Sequence, residues 1–124
     1  MSAPTILICD DEPSLRELMR VSLDSDYSFA EANDVAEAID LVERFRPDLV
    51  LLDVLMPGGS GLDVIERLRA DPELADTPVV VVSAFASESD RLAAHDAGAN
   101  GFIGKPFDPE ELGALVEELL ASRR

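Results

Sequence analysis

The feature that most constrains the fold is an alternation that runs five times along the chain. A short apolar run rich in β-formers is followed each time by a polar turn, then by apolar residues at helical spacing. "TILIC" (Thr5 to Cys9) leads through "DDEPS" to Leu15, Leu18, Met19 and Leu23. "YSFAEA" (Tyr27 to Ala32) is weaker; after it "DVAE", Asp34 to Glu37, has capping-box form and opens a helix carrying Val35, Ile39 and Val42, which Pro47 closes. "DLVLLD" gives the third strand, "VLMPGGS" its loop, and Gly61 to Ala70 a helix buried through Leu62, Ile65 and Leu68. The valines of "TPVVVVSA" predict a fourth strand buried on both faces. The helix from Ser87 to Ala97 is rich in alanine, with Leu92 its only large aliphatic residue, so it is expected to be the most loosely held. "NGFIGKPF" contains a short fifth strand, and "DPEE" from Asp108 caps a last helix that buries Leu112, Leu115, Val116, Leu119 and Leu120.

Five strands alternating with five helices predict an α/β fold. With right-handed crossovers this is a doubly wound five-stranded parallel sheet in the order 2-1-3-4-5, flavodoxin-like (βα)5. A chain of 124 residues fits one domain with one core, so residues 1–124 are read as a single unit. The longest apolar stretches are far too short to cross a bilayer, and "MSAPTILIC" lacks the form of an export signal, so a cytoplasmic location is expected and no membrane partner.

The net charge of −16 argues against direct contact with nucleic acid or anionic lipid, and any partner surface is expected to be basic or apolar. Cys9 is the only cysteine, so it forms no internal disulfide and no thiolate metal site; it reads as a small hydrophobe in a strand. Nine of the ten basic residues are arginine, and the only lysine is Lys105. A compact, mobile ammonium gains meaning there if Lys105 reaches Asp53.

In a doubly wound sheet, ligands sit beyond the carboxyl ends of the strands, near the reversal of strand order between strands 1 and 3. Strand 1 ends in Asp10 and Asp11, strand 3 in Asp53 and strand 4 in Ser83, while Lys105 and Pro106 follow strand 5. Three ionised carboxylates brought together repel and call for a hard cation held by oxygens, which suits Mg²⁺. Lys105 and the Ser83 hydroxyl add a positive charge and a donor, which suit a phosphoryl group beside the metal.

This set resembles the receiver domain of two-component response regulators, and the likeness covers essentially the whole chain. It rests on "CDDEPS", "LLDVLMPGGSG", "VVSAFA" and "GKPFD", in that order and each at a strand end. The resemblance implies that Asp53 accepts a phosphoryl group from a phosphohistidine on a sensor histidine kinase or phosphotransfer protein. Asp11 and Asp53 would bind Mg²⁺ through side chains, Leu55 through its carbonyl, and Asp10 mainly through metal-bound water. Lys105 would bind one phosphoryl oxygen and Ser83 would move to bind another, with Ala84 leaving room for the group. Phe102 would swing inward as Ser83 moves, and the bond to Pro106 would be cis, which proline permits at low cost and which would aim Lys105 inward.

The residues two after the acceptor and two after Ser83, Leu55 and Phe85, would slow attack by water. The implied protein is a signalling domain that assists its own phosphorylation and slow dephosphorylation. It would present a face of helix 4, strand 5 and helix 5 to a downstream protein or a second copy, without touching nucleic acid itself. Either a stand-alone receiver or the N-terminal receiver of a larger regulator fits.

Each residue also has a plainer reading. Asp10 and Asp11 can cap the first helix, Ser83 can be a turn residue, Phe102 core and Lys105 surface. His95 stands alone and is expected at the surface. Gly58, Gly59 and Gly61 lack the Lys-Ser/Thr of a P-loop and read as a mobile turn. A flavin mononucleotide carrier shares the fold, but "DDEPS" would repel its phosphate. A metal-dependent nuclease of the PIN type clusters carboxylates, yet the acidic surface disfavours nucleic acid and Lys105 has no task there.

Overall fold

The computed structural model describes residues 3–23 and 25–122. Arg123 and Arg124 of the terminal "ASRR" lie outside them. The strands are β1 (Thr5–Cys9), β2 (Ser28–Ala32), β3 (Leu49–Leu52), β4 (Val79–Ser83) and β5 (Gly101–Gly104). The helices are α1 (Pro13–Val21), α2 (Val35–Phe45), α3 (Leu62–Ala70), α4 (Glu88–Ala97) and α5 (Pro109–Ser122). All strand pairs are parallel and the order is β2-β1-β3-β4-β5, as the alternation predicts.

Alternate side chains of each strand divide the core into two layers. Leu7, Cys9, Val50, Leu52, Val79 and Val81 pack with α2, α3 and α4. Ile6, Ile8, Leu49, Leu51, Val80 and Val82 pack with α1 and α5 through Met19, Leu112, Val116 and Leu120. Every residue of β3 and β4 is buried, which is why these strands read as unbroken apolar runs.

Helical spacing overstates how wide the buried stripes are. On α1 it is Met19 that is buried, while Leu18 is exposed. On α3 Val64 joins Ile65 and Leu68 inside, and Leu62 is half-buried. Leu92 of α4 points outward and Ala94 is that helix's buried residue, so α4 has the smallest apolar anchor. On α5 Leu115 and Leu119 are only partly covered. The N-cap of α2 is Asp34, which accepts the Glu37 N–H, but Glu37 reaches back to the Asn33 N–H at 2.8 Å instead of closing a box on Asp34. α2 ends where Arg46 turns into the left-handed region, ahead of Pro47. Among the described residues no helix is long and apolar enough to cross a membrane.

Candidate functional site

Strands β1, β3 and β5 each hand over a polar residue one step beyond the last paired position, and the ladder still holds that residue's backbone; on β4 the polar residue is Ser83, the last paired position itself. The Asp10 N–H donates to the Ala32 carbonyl at 3.0 Å, that of Asp53 to Cys9 at 2.9 Å, and that of Lys105 to Ser83 at 2.9 Å. The side chains therefore leave the carboxyl edge of the sheet from fixed points. Carboxylate oxygens of Asp10, Asp11 and Asp53 all lie within 4.8 Å of one another. Asp10 is fully buried and Asp53 is 6% exposed, whereas Asp11 opens to solvent.

Lys105 crosses from the far side of the site. Its Nζ donates to Asp10 Oδ2 at 2.6 Å and to Asp53 Oδ2 at 2.9 Å. Burial acts to lower its pKa, but the hydrogen bonds and charge of Asp10 and Asp53 outweigh that and hold it above the ordinary lysine value. One ammonium against three carboxylates still leaves the site strongly negative. The donor set is all oxygen, compact and open on the Asp11 side, which fits a small hard dication. The only thiol nearby cannot compete: burial first, then the Asp10 charge, pushes Cys9 far above its ordinary pKa and keeps it protonated.

The remaining oxygens of the two buried carboxylates are already committed. Asp10 Oδ1 accepts the Glu12 N–H and Asp53 Oδ1 the Leu55 N–H, both at 2.9 Å. The N-cap of α1 is Glu12, with no side-chain cap, so Asp10 fixes the turn ahead of the helix. Ser83 is fully buried and its hydroxyl accepts the Phe85 N–H at 3.2 Å. Ala84 is exposed beside it, and the Lys105–Pro106 bond is cis. Leu55 and Phe85 are exposed at 47% and 59%, from the loops after β3 and β4. Phe102 is half-buried against the α4 layer, with the Arg91 guanidinium over its ring. His95 lies on the surface.

The loop after Asp53 is anchored on either side of Gly58 and Gly59, which are themselves exposed. Met56 is buried in the core, the Pro57 carbonyl accepts the Val35 N–H at 3.1 Å, and the Gly61 N–H donates to Val54 at 3.0 Å. Gly61 itself is buried against the backbone of Asp53 and Val54.

Sequence reasoning passed over Arg16. Its Nη1 donates to the Asp10 carbonyl at 2.6 Å and its Nε to Glu31 at 2.8 Å, bracing the turn that carries the acidic pair. The available signal was an Arg one turn into the helix that follows "DDEPS".

Comparison with known proteins decides the family. Residues 6–117 match the model of the response regulator receiver domain. The chain belongs to the response regulator receiver family. The receiver is 45% identical over 116 residues to response regulator MprA of Mycobacterium leprae, covering 93% of this chain and 50% of that protein. It is 37% identical over 118 residues to the DNA-binding dual master transcriptional regulator RpaA of Synechocystis, covering 94% and 49%. The chain thus spans about half the length of the curated relatives it matches. Among solved structures, a two-component response regulator of the LuxR family from Aurantimonas is similar at TM-score 0.86 and 31% identity, over 99% of this receiver and 89% of that chain. The chemotaxis response regulator CheY4 of Vibrio cholerae is similar at TM-score 0.87 and 27% identity, over 95% and 99%.

Proposed function

We propose that residues 1–124 act as one receiver unit that takes a phosphoryl group onto Asp53 from a phosphohistidine of a sensor histidine kinase or phosphotransfer protein. The observation that carries this reading is the single ammonium of Lys105 bridging Asp10 and Asp53 inside a cluster of three carboxylates. An Asp53 oxygen forms the new bond to phosphorus as the phosphorus–nitrogen bond breaks, and the imidazole leaves with that electron pair and takes a proton from water. Such a transfer depends on position and charge stabilisation more than on protein acids.

Asp11 and Asp53 would hold Mg²⁺ directly together with the Leu55 carbonyl, and Asp10 through water. When bound, the ion neutralises charge on the carboxylates and on the transferring group. Lys105 moves from a carboxylate oxygen to a phosphoryl oxygen, following the charge. Ser83 turns its hydroxyl from the Phe85 N–H to the same group, Ala84 leaves it space, and Pro106 follows the lysine. Ser83 and Phe102 then pass the change to the face of α4, β5 and α5, where a downstream protein or a second copy binds. The receiver itself touches neither nucleic acid nor membrane, and its place of work is the cytoplasm.

The test is intact-protein mass spectrometry after incubation with acetyl phosphate, with Mg²⁺ or with EDTA. One phosphoryl adduct is expected that needs Mg²⁺, is labile to hydroxylamine and is absent from Asp53→Asn. An adduct that persists in Asp53→Asn would overturn the assignment.

A further inference from the structure

Arg91 lies one turn into α4 and sends its guanidinium back toward the start of the helix. Nε donates to the Ala86 carbonyl at 3.2 Å, in the loop that follows Ser83. The same group lies over the Phe102 ring, 4.7 Å from its centroid. Gly104 makes room for this arrangement: a Cβ there would come within 3.2 Å of the Ala86 Cβ and 3.7 Å of an Arg91 nitrogen. In a chain with 26 acidic residues, Arg91 makes no carboxylate ion pair among the described residues. Its charge is directed instead at an aromatic face and a backbone carbonyl.

The two ends of α4 are held differently. At the carboxyl end Arg69 donates to the Gly98 carbonyl from both Nε and Nη2, at 3.2 and 2.8 Å. At the amino end Ser87 and Asp90 close a capping box, which fixes Arg91 relative to Ala86. Arg91 is then the side chain that ties this end to β5.

We propose that Arg91 is a latch: its guanidinium holds the β4–α4 loop and the Phe102 ring together in the unphosphorylated receiver, and phosphorylation must break this hold. The inference rests on the reading of Asp53 as acceptor and Ser83 as a phosphoryl ligand. When the Ser83 hydroxyl leaves the Phe85 N–H, the loop through Ala86 follows, and the carbonyl that anchors Arg91 goes with it. Phe102 has no hydroxyl, so its π face is what the cation grips. Arg91 is a positioning residue in this scheme; it touches neither phosphorus nor metal.

Hydrogen exchange of the unphosphorylated protein and its rate of phosphorylation by acetyl phosphate with Mg²⁺ test the latch together. In Arg91→Ala the amides from Phe85 to Ser87 are expected to exchange about three- to tenfold faster. Phe102→Leu, which keeps apolar bulk and removes the ring, should speed the same amides, and the double variant should exceed Arg91→Ala by little. Initial phosphorylation of Arg91→Ala should rise about two- to fivefold. Unchanged exchange, an unchanged or slower rate, or fully additive effects of the two substitutions would overturn the latch. If wild type takes no phosphoryl group, or Asp53→Asn takes one, the acceptor reading fails; exchange then still decides whether Arg91 holds the loop.

Discussion

Gly61 lies directly against the backbone of Asp53: a Cβ on it would sit 2.9 Å from the Asp53 carbonyl oxygen and 2.5 Å from the Val54 Cα. No side chain fits that space, and the obstructing atoms are backbone, which cannot swing aside. The Gly61 N–H also closes the loop after Asp53 on the Val54 carbonyl. Its φ of −60° is open to any residue, so the requirement is for space alone.

Gly61→Ala therefore pushes on the strand end that positions Asp53. The expected loss of stability is about 2–3 kcal/mol, read from urea unfolding. Phosphorylation by acetyl phosphate should slow about tenfold or more under conditions where the variant is still folded, because a displacement near 1 Å at a reacting group is costly. A variant as stable and as reactive as wild type would show that the loop moves off Asp53 freely.

Lys105 gives the site a pH dependence of definite sign. Its folded pKa lies above the ordinary value, so its contribution to stability is complete below about pH 10.4 and falls away as the pH climbs from there through the folded value. Lys105→Met should be less stable than wild type by about 2 kcal/mol at pH 8 in EDTA, since two buried carboxylates lose their cation. The gap should narrow above about pH 10.4. Lys105 is the only lysine and Tyr27 is common to both proteins, so the difference in urea midpoint reports this group. A gap that stays constant to high pH would remove the ammonium from the account.

The strand ends were legible because a buried apolar run that stops at Asp10, Asp53 or Ser83 marks where the chain leaves the sheet, and parallel crossovers bring those ends to one edge. Lys105 was legible through its rarity. The packing around them was not. Adjacent residues such as Leu18 and Met19 point about 100° apart on a helix, and spacing alone does not say which faces the sheet. The close approach of Gly61 depends on where the loop returns, and the stack of Arg91 on Phe102 joins α4 to β5 through an exposed residue. No periodicity records either. Arg69 is harder still, because its partners are backbone carbonyls.

Arg69 is the strongest of these unread contacts. It donates to the carbonyls of Gly98, Ala75 and Thr77 and to Asn100 Oδ1, while that same oxygen accepts the Val79 N–H. Its burial draws its pKa below the ordinary value, against the charge of Asp76. Arg69→Ala leaves the half-buried Gly98 and Ala75 carbonyls and that of buried Thr77 without their donor, and the expected loss is about 2–4 kcal/mol by urea unfolding. Arg69→Lys, a point charge with no planar fork, should recover less than half of it. A loss under about 0.5 kcal/mol would mean that water replaces the guanidinium at no cost.

With Asp53 as the proposed acceptor, Leu55 and Phe85 are the side chains expected to govern how long the receiver stays phosphorylated. Both are exposed at the mouth of the site, and neither side chain can hydrogen-bond a water aimed at phosphorus. Replacing them together, Leu55→Asn with Phe85→Glu, supplies an amide and a carboxylate there while leaving the Leu55 backbone bond to Asp53 unchanged in kind. The phosphoryl lifetime, followed by intact mass after acetyl phosphate is removed, should shorten by about tenfold or more, a modest share of what a well-placed base provides. An unchanged lifetime would mean that water is excluded by something other than these two side chains, leaving the Lys105 and Asp53 geometry to set the rate.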